Sequence, residues 1–159
     1  MKAIIIATAA CVILAVSLFA YQLVYQHDQC STGHMAVLDT PNQALLVSIA
    51  KTPQEQAKGL GGCPMLAKNT GMYFPFSTSA PQTFWMKNMI IPIDIVWISQ
   101  GKVVGITSQV PFPHRGSDDA SLVLYKSPQD VDAVLEIGSG MAQAYGLQDG
   151  SKVVLVSSP

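Results

Sequence analysis

Charge is scarce in this sequence. Of 159 residues only 12% are Asp, Glu, Lys or Arg, and 9 Lys+Arg against 10 Asp+Glu leave a net charge of −1. A nucleic-acid-binding surface needs clustered Lys and Arg to displace counterions from phosphates, so a DNA- or RNA-binding role is not expected. Cysteine is equally sparse. Cys11, Cys30 and Cys63 are too few and too far apart for a disulfide-rich scaffold or a zinc centre. The three histidines, His27, His34 and His114, are scattered, so no metal site is expected, and no motif asks for a cofactor. Hydrophobic residues make up 49% of the chain, which excludes intrinsic disorder and is enough for one packed domain.

The longest hydrophobic run is at the N-terminus. After Lys2 no charge occurs up to Gln26, and residues 3–21 are apolar apart from Thr8 and Ser17. A helix of about 20 such residues spans a bilayer. A cleaved signal, followed by secretion, is the competing reading, but Leu18-Phe19-Ala20 offers a small residue only at its last position. The sequence favours an uncleaved transmembrane anchor over 1–26. Tyr21 and Tyr25 suit a headgroup interface, and Lys2, with no Lys or Arg beyond the run until Lys51, orients the N-terminus toward the cytoplasm. The remaining chain is then expected outside the cytoplasm, periplasmic or extracellular. There Cys30 and Cys63 can pair as a disulfide, a question the sequence leaves open, whereas Cys11 would sit in lipid.

Residues 27–43 are polar, interrupted by Gly33 and Pro41, and read as a tether that gives way to structure near Met35. Residues 44–159 form the folded unit. Its apolar runs are short, rich in Val and Ile, and separated by Gly, Pro, Asn and Ser, the pattern of many strands joined by turns. The strands expected are 45–50, 72–76, 83–86, 93–99, 102–108, 122–125, 134–137 and 152–156. Gln100-Gly101 gives a tight hairpin loop. Ile93, Ile95 and Trp97 alternate with Val96 and Ile98, so the strand after Pro92 is expected to be covered on both sides. Thr52-Pro53-Gln54-Glu55 reads as a capping box opening a short helix that Gly59 closes, and 139–145 reads as a second helix with Ser139 as its cap. The fold class expected is mainly β: a compact antiparallel sandwich or barrel with one or two short helices.

The stretch Phe84-Trp85-Met86-Lys87-Asn88-Met89-Ile90-Ile91-Pro92-Ile93-Asp94 resembles the signature of the domain of unknown function 192 family. Gln56-Ala57-Lys58-Gly59-Leu60-Gly61-Gly62, Gly71-Met72-Tyr73-Phe74-Pro75-Phe76, and Val134-Leu135-Glu136-Ile137 with Gly146-Leu147 and Gly150 are similar to three further parts of its pattern. The resemblance spans about Leu45 to Val156. It departs at Cys63, where the family usually has Arg, and at Ser151, where Asp commonly stands, so no role for that Arg carries over. The resemblance implies a compact β fold attached to a signal or anchor in bacteria and archaea, with no established biochemical activity.

Polar residues inside the most apolar stretch are the candidates for a site. Trp85, Lys87, Asn88 and Asp94 can hold a polar ligand such as a sugar or a small carboxylate, with the indole ring for stacking. The same residues also fit a structural role, in which Asn88 takes an unusual backbone angle and Asp94 ties the connection down. The loop 110–121 carries His114 and Arg115, and any pocket is expected between this loop and the 85–94 segment. Lys58-Gly59-Leu60-Gly61-Gly62 lacks the spacing of a nucleotide loop and reads as a tight turn. No catalytic residue is assigned. The expectation is an anchored binding module for a small polar ligand or an envelope partner, with two rivals. One is a hydrolase or transferase on envelope carbohydrate or peptide using Asp94 and Lys87, and the other an envelope scaffold.

Overall fold

A computed structural model describes residues 17, 30–114 and 116–156. The expected anchor over 1–26, Cys11 and Arg115 lie outside the described residues, apart from Ser17. Among the described residues no helix is long and apolar enough to cross a membrane.

The strands are β1 (Met35–Asp39), β2 (Ala44–Ile49), β3 (Thr70–Ala80), β4 (Thr83–Trp85), β5 (Ile93–Ser99), β6 (Lys102–Val110), β7 (Leu124–Lys126), β8 (Val131–Gly138) and β9 (Val154–Val156). Seven form one sheet in the order β6-β5-β8-β3-β2-β1-β9, and β4 with β7 makes a separate ribbon. The class is mainly β, as expected, but the sheet is mixed rather than antiparallel. β2 and β3 run parallel, Leu46 opposite Thr70 through Ile49 opposite Tyr73. A parallel pair needs a long return path, and residues 50–69 supply it. β1 falls inside the stretch read as a tether, where it pairs with β2 and β9.

The return path carries the short helix α1 (Pro53–Lys58). Its capping box is complete: the Glu55 N–H donates to Thr52 Oγ1, and the Thr52 N–H donates to Glu55 Oε2. Further along, Cys63 forms a disulfide with Cys30, joining the start of the domain to this path. The Gln100-Gly101 loop takes φ of 51° and 69°, as a two-residue hairpin requires.

Residues 139–145 are not a helix. The Tyr145 N–H reaches Met141 O, but the Gly146 N–H turns back to Gln143 O, so a single turn forms and does not propagate. Gly140 and Gly146, at φ of 75° and 72°, bracket it. The second short helical element lies elsewhere, a 3₁₀ turn over Asp119–Ser121.

Residues 150–153 bond to the start of β6 through Gly150 N–H to Val103 O and Val103 N–H to Ser151 O, and β9 then pairs with β1. The C-terminal segment thus joins the two ends of the sheet. One core lies on the enclosed face, with Leu38, Leu45, Val47, Val96, Ile98, Leu135 and Ile137. A second lies on the opposite face of β3, β5 and β8, with Met72, Phe74, Ile93, Ile95, Trp97 and Val134 under Leu60, Cys63, Met86 and Met89. β5 contributes to both, because both alternations are apolar. Phe84 of β4 packs edge-on to Phe74 and to Trp97, at centroid distances of 5.1 and 5.7 Å, and holds the ribbon down on this second core.

Candidate functional site

Each buried carboxyl in the sheet has a different fate. Asp94 enters the enclosed face at the start of β5 and is 0% exposed. Its Oδ1 accepts the N–H groups of Gln109 and Gly140, at 2.7 and 2.9 Å, and its Oδ2 accepts that of Ala142 at 3.0 Å. This carboxylate fastens the end of β6 and the turn after β8 to β5, as an N-cap residue would fasten a helix. It borders neither cavity described below.

Glu136 of β8 projects to the other face and is 4% exposed. The Leu60 N–H bonds to its carboxyl, yet Oε2 has no hydrogen-bond partner. Burial pushes its pKa from 4.5 up to about 8, against the smaller opposing effect of that N–H, so the group is a neutral acid at pH 7. An unpaired buried polar group costs free energy, which makes this carboxyl a candidate site group.

Glu136 lies at a cavity of about 250 Å³ walled by Phe84 and Trp85 of β4, Phe76, Gln82, Met89 and the end of α1 at Lys58. Gly59, which follows α1 at φ 50°, leaves room for the carboxyl: a Cβ there would stand 3.6 Å from Glu136 Oε2. Trp85 is 44% exposed, so an indole face remains open to solvent beside a buried hydrogen-bonding group.

A second cleft of about 490 Å³ opens between the 87–90 turn and the 112–122 loop. Lys87, Asn88 and His114 border it, together with Ile90 and Phe112. Lys87 Nζ pairs with Asp119 across the cleft and sits 5.5 Å from the Trp85 ring centroid. Asn88 takes φ 59°, the Met89 N–H closes the turn on Met86 O, and the Asn88 carbonyl accepts the Gly62 N–H.

The sequence-predicted residues therefore part company. Lys87, Asn88 and His114 share one cleft, Trp85 belongs to the neighbouring cavity, and Asp94 is enclosed in backbone bonds. Glu136 was missed as a site residue, although it carried the same signal as Asp94: a carboxylate inside the apolar run Val134-Leu135-Glu136-Ile137. Among the described residues no group of three or more His, Cys, Asp or Glu side chains could hold a metal ion.

The model of the domain of unknown function 192 family, DUF192, described as "Uncharacterized ACR", matches residues 36–155. The chain belongs to this family. The DUF192 match thus takes in β1 as well as the later strands and both cavities. Two crystal structures are similar to this DUF192 chain. One is a Sinorhizobium meliloti protein described provisionally as a transcription regulator, with 26% identity, a TM-score of 0.65, and coverage of 77% of this chain and 92% of that one. The other is a protein of unknown function from Novosphingobium aromaticivorans, with 28% identity, a TM-score of 0.64, and coverage of 76% and 83%. No curated protein matches the chain.

Proposed function

We propose that this protein is a membrane-anchored, extracytoplasmic binding module for a small polar ligand, and that the ligand sits in the cavity between Glu136 and Trp85. The observation that carries the reading is Glu136 Oε2, buried beside an aromatic-walled cavity with no hydrogen-bond partner. A ligand that met this oxygen and lay on the open indole face would gain both a desolvated hydrogen bond and apolar contact. The Cys30–Cys63 disulfide supports the outward placement, because such bonds persist in oxidising compartments. The description of the Sinorhizobium relative gains no support from this chain, whose charges nearly cancel. The Asp94–Lys87 hydrolase is not favoured, since Asp94 is taken up by three backbone N–H groups and Lys87 by Asp119.

The test is thermal unfolding of the full-length chain in detergent with sugars, small carboxylates, amines, short peptides and nucleotides. A ligand at about a hundred times its Kd adds about 2.7 kcal/mol and raises the melting temperature. That rise should vanish in Trp85→Ala, a partly exposed position whose loss leaves the domain folded. No rise with any class, or a rise untouched by Trp85→Ala, sinks the reading. Protease treatment of intact spheroplasts tests the placement: digestion of the domain is expected, and full protection overturns it.

An envelope protein as the partner is the second reading. Ile90 and Phe112, 52% and 50% exposed, favour it, because apolar side chains of this size flank the larger cleft. Crosslinking from position 112 in whole cells, giving a discrete adduct, would support it.

A further inference from the structure

The outer side of β9, β1 and β2 is apolar where a solvated sheet face is ordinarily polar. Val156 lies opposite Val37, and Val37 opposite Leu46, so facing residues of three adjacent strands share one side of the sheet, and all three are exposed. Asp39, two residues beyond Val37 on the same side of β1, ends the stripe. At its other end the stripe runs on past the sheet. Leu46 borders a groove of about 250 Å³ together with Cys30, Met35, Met65 and Leu66, and Met65 is 68% exposed. A contiguous apolar patch of this kind, unlike single exposed side chains, marks a contact surface.

What covers the stripe follows from where the chain enters the domain. Cys30 is bonded to Cys63, which fixes the entry point at the groove. Given the membrane-anchored reading above, on which this step rests, the anchor ends at Gln26, and His27, Asp28 and Gln29 lie between it and Cys30. Fully extended, that stretch reaches about 14 Å. A domain of this size is roughly 35 Å across, so the side bearing Cys30 is held next to the lipid and the opposite side away from it. We infer that the stripe formed by Val156, Val37, Leu46 and Met65 docks on the bilayer surface, with its side chains entering the boundary between headgroups and acyl chains. The short tether keeps lipid at high effective concentration on this side. Lys68, exposed next to Ala67 of the groove wall, offers a cation to headgroup phosphates.

The test uses the full-length chain reconstituted in phosphatidylcholine vesicles, with Met65→Trp as the reporter and phosphatidylcholine brominated near the top of its acyl chains as the quencher. Met65 is exposed, so the substitution leaves the core untouched. The emission that Met65→Trp adds to the background of Trp85 and Trp97 is expected to be largely lost in brominated vesicles. Adding Val37→Glu and Leu46→Glu to the reporter should restore it, because carboxylates on the stripe keep it out of the acyl boundary. Emission unchanged by bromine overturns the inference. Quenching that persists in the glutamate variant shows nearness without docking and overturns it as well. A photo-crosslinking side chain at position 37 should give a lipid adduct, and an adduct to a second copy of the chain in its place counts against the bilayer. Alkaline carbonate extraction of the same vesicles separates the two failures. A chain that stays with the vesicles but is not quenched keeps its anchor and loses the docked stripe, whereas a chain that is extracted loses both.

Discussion

Asp94 and Glu136 lie on adjacent strands one register step apart, Asp94 opposite Ile137 and Glu136 opposite Ile95, so their buried carboxyls leave opposite faces of one sheet. The two sites share composition and depth but not bonding. Asp94 receives three backbone N–H groups, whereas Glu136 keeps one oxygen without a partner. Stability is therefore expected to depend on the first, and ligand binding on the second.

Asp94→Asn replaces one accepting oxygen by a donor. With the amide oxygen toward Gln109 and Gly140, the new NH₂ faces the Ala142 N–H, and the pair cannot bond. The loss should be about 1–3 kcal/mol, read from urea unfolding, with ligand binding intact in the folded fraction. A variant of unchanged stability would contradict the fastening role.

Glu136 makes stability depend on pH. The unfolded chain releases this proton near 4.5 and the folded chain near 8, so between those values the folded state binds more protons. Stability from this group is full below 4.5 and falls as pH rises, by up to about 1.4 kcal/mol per unit, levelling above pH 8. Glu136→Gln abolishes the slope. Urea unfolding at pH 5 and pH 8 should show the variant gaining on the parent as pH rises, and parallel curves would refute the buried, neutral carboxyl.

Gly71 is needed for the closeness of β3 and β8. A Cβ at this position would fall 2.6 Å from the Glu136 carbonyl oxygen, a backbone atom that cannot swing aside. Gly71→Ala must part β3 from β8 on the side of the enclosed core, where the Cβ would also meet Ile137 and Leu135, and should cost about 1–3 kcal/mol or more. The measurement is the unfolding midpoint of the variant.

The Cys30–Cys63 bridge spans a sequence separation of 33. Its reduction should lower stability by about 3–4 kcal/mol, mostly by freeing the unfolded chain. A fall in melting temperature on adding dithiothreitol, absent in the Cys30→Ser/Cys63→Ser double variant, is the expected result.

Features set by near neighbours could be read along the chain. Thr52-Pro53-Gln54-Glu55 closes its capping box within four residues, Gln100-Gly101 turns a hairpin with its own backbone angles, and the two apolar alternations of 93–99 require cover on both sides. Features that depend on distant partners could not. Met35–Asp39 lies within the stretch 27–43 read as a tether, and its short run Met35-Ala36-Val37-Leu38 becomes a strand because β2 and β9 take up its backbone groups, while the parallel pairing of β2 with β3 depends on where the 50–69 path returns. Residues 139–145 have a helical composition, but the Gly146 N–H turns back to Gln143 O after a single turn, and that turn is held to β5 by Asp94, 46 and 48 residues from Gly140 and Ala142. The same holds for the site. The sequence marked Trp85, Lys87 and Asn88 because polar and aromatic groups stand together there, and both carboxylates were visible in apolar runs. Which one is satisfied and which is left toward a cavity depends on N–H groups delivered by remote turns, and hydrogen bonds of that kind exist only once the sheet has brought those turns together.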